Sequence, residues 1–147
     1  MHGLLVEMYS LERGGLSRQL AVHIASHASQ GKVAVVTDKP VTLLASTRKQ
    51  WLRLIRLTER ERASTLNVAR KEQLGMHLEW MRQLRFTAKA PIDLLEADVT
   101  FATADDFVRN PPDCRIVYVA YSFEREKLHM LTSWMPRNGV AVIYGQD

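Results

Sequence analysis

Leu4-Leu5-Val6-Glu7-Met8-Tyr9, then Ser10-Leu11-Glu12-Arg13-Gly14-Gly15-Leu16-Ser17-Arg18, then Lys32-Val33-Ala34-Val35-Val36-Thr37 is the stretch on which the fold reading turns. An apolar run meets a glycine turn, and between that turn and the second apolar run Leu16, Leu20, Ala21, Ile24, Ala25 and Ala28 recur at helical spacing, ending near Gly31. The pattern predicts strand, turn, helix and strand. Such a unit places the amide groups of a helix N-terminus at the carboxyl edge of a parallel sheet, where phosphates and nucleotides bind. Lys32 to Thr37 is almost unbroken in its apolarity, as befits a strand covered on both faces, and Asp38-Lys39-Pro40 closes it.

Working outward, Val41 to Leu57 predicts a second helix, with Leu44, Trp51, Leu54 and Ile55 inward. Thr65 to Phe86 predicts a third, with Leu74, Leu78 and Met81 inward. Ala90-Pro91 breaks the helical run. Asp98 to Thr103 and Arg115 to Tyr121 read as strands, with a short helix beginning near Asp105 between them. A helix from Phe123 to Met135 stops at Pro136-Arg137-Asn138-Gly139, and Val140 to Tyr144 supplies a last strand. Strands alternating with helices over residues 1–147, without a linker or low-complexity tract, predict a single α/β domain: a three-layer sandwich with a mainly parallel sheet of about five strands, Rossmann-like or P-loop-like.

The 147 residues are 46% hydrophobic and 24% charged, enough for one ordinary core. The lone Cys114 leaves no internal disulfide and no cysteine cluster for zinc. The sequence shows neither a signal-peptide pattern at Met1-His2-Gly3-Leu4 nor a run of membrane-spanning length, so the expectation is a cytoplasmic protein without membrane contact. A formal net charge of +4 favours a polyanionic partner, and the charge is unevenly spread. Between Arg48 and Lys71 stand eight basic residues against Glu59 and Glu61, whereas 93–113 carries six acids against Arg109 alone.

The order of elements resembles the core of P-loop NTPases of the RecA-like kind, with the later apolar strand where a Walker B acid would sit. Arg13-Gly14-Gly15-Leu16-Ser17-Arg18 stands where Walker A has its Gly-Lys-Ser/Thr, and Tyr121-Ser122 follows the strand that would carry the Walker B carboxylate. The resemblance is therefore to degenerate, non-catalytic relatives such as the SulA-type cell-division inhibitors, and it implies a scaffold kept for binding. Leu11 to Leu20, with Gly31 to Thr37 downstream, also resembles the opening of GT-B glycosyltransferases, whose Gly-Gly turn faces the nucleotide-sugar cleft. The chain has the length of only the first half of such an enzyme.

Met8-Tyr9-Ser10-Leu11-Glu12-Arg13 and Ala120-Tyr121-Ser122-Phe123-Glu124-Arg125 echo one another, each joining a strand to a helix. Ser10, Arg13, Gly14, Gly15, Ser17 and Arg18, with Ser122 and Arg125, are the candidate phosphate or nucleotide residues. Plain helix entry is the competing reading, since serine caps and glutamate suits the first turn. Lys49, Arg53, Arg56 and Arg60 follow a 4-3-4 spacing that aligns them on one side of a helix as a rail for nucleic-acid phosphates. Arg62, Arg70, Lys71, Arg82 and Arg85 extend it. The bland alternative is a solvated face partly neutralised by Glu59 and Glu61.

His23 and His27 share a helix face at a zinc-compatible spacing, but Ile24 replaces the glutamate of a zincin helix, so no metal is assigned. Trp51 and Trp80 read as core or partner-contact aromatics, or as a platform for single-stranded bases. Asp105-Asp106 at a strand end begins a helix or, less simply, holds magnesium. The leading expectation is a non-catalytic binding domain for nucleic acid or a nucleic-acid-processing protein. The alternative is a nucleotide- or nucleotide-sugar-dependent enzyme with Asp38 or Asp105 as acidic partner, and the sequence names no cofactor.

Overall fold

The computed structural model describes residues 4–8, 15–28, 31–88, 97–109, 114, 116–120 and 140–144. In chain order these form β1 (Leu4–Met8), α1 (Gly15–His27), β2 (Val33–Thr37), α2 (Pro40–Ser64), α3 (Val68–Gln83), β3 (Phe86–Thr87), β4 (Val99–Ala102), α4 (Ala104–Arg109), β5 (Ile116–Ala120) and β6 (Val140–Tyr144). The strands pair in the order β1-β6-β5-β2-β4-β3, and every pairing is parallel. The architecture is thus α/β with a parallel sheet, as the alternation of strand and helix patterns predicts.

Alternation along the strands divides the core in two. Val33, Val35, Val99, Phe101, Ile116 and Tyr118 face one side, under α1, α2 and α3; Ala34, Val36, Val117 and Val119 face the other, with Ala104 and Phe107 of α4 and with Cys114. β2, all five residues buried, lies between β5 and β4, which explains its unbroken apolar run. From β1 through β2 to β3 the chain advances across the sheet with its helices on one face; from β4 to β5 it steps back with α4 on the other. Uniformly right-handed crossovers require that division of helices between faces. Gly31, at φ 154°, turns the chain from α1 into β2 in a backbone region that side chains rarely tolerate.

Three boundaries differ from the sequence expectation. α2 runs on to Ser64 instead of stopping near Leu57, because the charged segment after Leu57 has no apolar period yet keeps helix-forming residues. α3 begins at Val68, capped by the Asn67 side chain, which accepts from the Arg70 amide at 3.1 Å. Phe86 leaves the helix for β3, drawn into pairing with β4 while the Arg85 amide donates to Asp98 Oδ2 at 2.9 Å. The expected helix from Phe123 to Met135 lies outside the described residues.

Candidate functional site

α2 owes its orientation to a buried stripe, Leu43, Thr47, Trp51 and Ile55, spaced four apart. Trp51 anchors it. Its Nε1 donates to the Met81 carbonyl at 3.0 Å, one of the last-turn carbonyls of α3 that has no partner within its own helix. Its ring meets Trp80 and Phe86 edge-on, at 6.0 and 5.5 Å between centroids. With α2 fixed in this way, Lys49, Arg53, Arg56 and Arg60 point away from the stripe and all four are exposed. At 1.5 Å per residue they span about 16 Å along the helix.

The two acids expected to soften this field are otherwise engaged. Glu59 pairs with Arg82 of α3 at 2.7 Å and Glu61 with Arg70 of α3 at 2.9 Å. Among the described residues neither forms an ion pair with Lys49, Arg53, Arg56 or Arg60, and from Pro40 to Thr58 the sequence holds no acid at all. Among the described residues the four cations therefore form a row that no acid compensates. Of the proposed extensions, Arg70 and Arg82 are committed to these pairs, and Arg85 stands 3.7 Å from Asp98. The Arg62 guanidinium lies over Gly75, where an added Cβ would sit 3.2 Å from it.

Trp51 and Trp80 do not form a platform for bases on this face. Trp51 is only 4% exposed, and half-buried Trp80 stacks on His77 at 5.3 Å while packing against Trp51. Their place in the core follows from the helical spacing of their apolar neighbours.

At the N-terminus of α1, Gly15 and Ser17 are buried and Arg18 is exposed. Ser17 is 3% exposed and its Oγ has no hydrogen-bond partner among the described residues. Side chains of a helix lean toward its N-terminus, so this hydroxyl is carried toward the first-turn amides. Ser10, Arg13, Gly14, Ser122 and Arg125 lie outside the described residues.

A second candidate place follows from topology. The chain leaves β2 for α2 on one face and leaves the adjacent β4 for α4 on the other, which opens a crevice at the carboxyl ends of these two strands. Thr37 and Thr103 stand at its base. Thr37 Oγ1 contacts Asp38 Oδ1 and accepts from the Lys39 amide, each at 3.3 Å; Thr103 Oγ1 accepts from the Asp106 amide at 3.2 Å, capping α4. Asp38 and Asp105 are exposed beside them, but among the described residues no three metal-ligating side chains come together here or elsewhere.

His23 and His27 do share a face, with ring centroids 6.0 Å apart. Tyr118 lies beneath them: its hydroxyl is 2.9 Å from His27 Nδ1 and donates to the His23 carbonyl at 3.3 Å. Burial, and then the neighbouring His27, hold the His23 pKa below its usual 6.5, while burial pushes the Tyr118 hydroxyl up. No helix of the described residues is long and apolar enough to cross a membrane. Comparison with known proteins found no match to any family model, curated protein or solved structure.

Proposed function

We propose that this chain is a non-catalytic α/β binding domain that engages nucleic acid through the exposed rail of α2, on a scaffold of degenerate P-loop-like type. The observation that carries the reading is the diversion of Glu59 and Glu61 into ion pairs with α3, which leaves Lys49, Arg53, Arg56 and Arg60 as a row of cations with no acid partner among the described residues. Cations aligned along one side of a helix can be neutralised by phosphates alone and need no base contact. Sequence-independent binding to a backbone follows, with strong dependence on salt. Fluorescence anisotropy with labelled duplexes of unrelated sequence tests it. Arg53→Gln with Arg56→Gln weakens all of them alike, whereas equal affinity of variant and parent refutes the rail.

A second reading, a nucleotide or nucleotide-sugar site at the start of α1, is favoured by one observation, the buried Ser17 hydroxyl with no partner among the described residues. Thermal-shift titration with ATP, UDP-sugars and short DNA separates the two. Stabilisation by nucleotide that is lost in Ser17→Ala supports the second reading, and salt-sensitive stabilisation by DNA alone supports the first.

A further inference from the structure

From 56 to 73 no side chain is buried, so this end of the α2–α3 hairpin stands clear of the core. Its turn is nonetheless firmly built. Thr65 Oγ1 and Ser64 Oγ both donate to the Glu61 carbonyl, at 2.7 and 3.1 Å, closing α2. On the other side Asn67 caps α3, and the Arg70–Glu61 pair ties the two helices together just below the turn. At the apex of this braced turn is Leu66, 98% exposed, with Val68 beside it at 72%. An apolar residue on a loose loop would be unremarked; here the backbone that carries it is fixed in place by these four polar contacts, and the side chain is almost fully exposed. The rail runs out along α2 toward this apex, Arg60 lying about one turn before the helix ends.

We infer that the braced Leu66 apex is an apolar wedge that seats between base pairs of a duplex whose backbone is held by the α2 rail. The inference rests on the rail reading and adds to it the kind of nucleic acid and the part that enters it. Charge complementarity selects the occupant: the exposed face of α2 leading to the apex carries cations without an acid before Glu59, as a polyanion demands. Wedge residues of this type, leucine among them, partly unstack a base step and are favoured where the surrounding contacts hold the backbone. Flexible TA steps cost least to open.

The test uses the full chain and a set of A·T-rich duplexes carrying 2-aminopurine at successive positions across a TA step, read by fluorescence and by anisotropy at two salt concentrations. Binding of the parent protein raises 2-aminopurine emission. Leu66→Ser abolishes the rise and weakens binding about tenfold, the scale of one lost leucine burial, while leaving the salt dependence intact. Circular dichroism of Leu66→Ser is unchanged, since the residue contributes nothing to the core. Salt-sensitive binding without any emission change overturns the wedge and leaves the rail standing; an emission rise retained by Leu66→Ser does the same. No binding of the parent to any duplex, or preferential binding to anionic phosphatidylserine vesicles, overturns both.

Discussion

Replacing Trp51 by phenylalanine removes the buried hydrogen bond that joins α2 to the end of α3. The indole Nε1 satisfies the Met81 carbonyl, and no backbone amide stands in for it, because the Arg85 amide that would continue the helix donates to Asp98 instead. Leaving a buried carbonyl unpaired costs roughly 1–3 kcal/mol. Loss of the edge-on contacts with Trp80 and Phe86, and the gap left by the smaller ring, add about 1 kcal/mol. The sum is about 3 kcal/mol, equivalent to a fall in Tm of roughly 6–12 °C for a chain of this size. Urea denaturation measures it, with Trp80→Phe as the control: that ring is half-buried and its replacement costs less than about 1 kcal/mol. A loss below about 1 kcal/mol for Trp51→Phe, or equal losses for the two variants, refutes the anchoring role.

Three further outcomes follow from individual side chains. Thr47 is fully buried and its hydroxyl has no partner among the described residues, so Thr47→Val raises stability by about 1 kcal/mol in the same denaturation assay. Gly75→Ala gains helix propensity of about 0.8 kcal/mol, because the added Cβ meets only the movable end of Arg62; a net loss in urea denaturation shows that the guanidinium cannot shift. His23 titrates below 6.5 in the folded chain, so the unfolded chain binds more protons as pH falls through 6.5. Its contribution is complete above that pH and declines below it toward the lower folded value. His23→Gln flattens this part of the stability profile, which denaturation midpoints between pH 5 and 7.5 record.

What the sequence reveals depends on which interactions govern each element. β2 and the inward faces of α1, α2 and α3 are visible because continuous burial or one-sided burial writes itself into apolar spacing. The outer end of α2 is not, since an exposed charged helix braced by its neighbour carries no period to read. β3 is hidden for a different reason: two residues, Phe86 and Thr87, take strand form through pairing with β4, a contact distant in sequence. The alignment of Lys49, Arg53, Arg56 and Arg60 follows from helical spacing alone, but the destinations of Glu59 and Glu61 do not. Arg70 and Arg82 are nine and 23 residues further along the chain, and only the hairpin brings them into reach. The hydroxyls of Ser17 and Thr47, without partners among the described residues, likewise have no signature, because serine and threonine within helices ordinarily find a carbonyl one turn back.

The central proposal is that the α2 rail holds a phosphate backbone, and the slope of affinity against salt tests it most directly. Four phosphate contacts on B-form DNA give a log–log slope of about −3.6, so affinity falls roughly a hundredfold between 50 and 200 mM salt. Arg53→Gln with Arg56→Gln removes two contacts and brings the slope to about −1.8. A slope near zero, or one that the double substitution leaves unchanged, contradicts the rail.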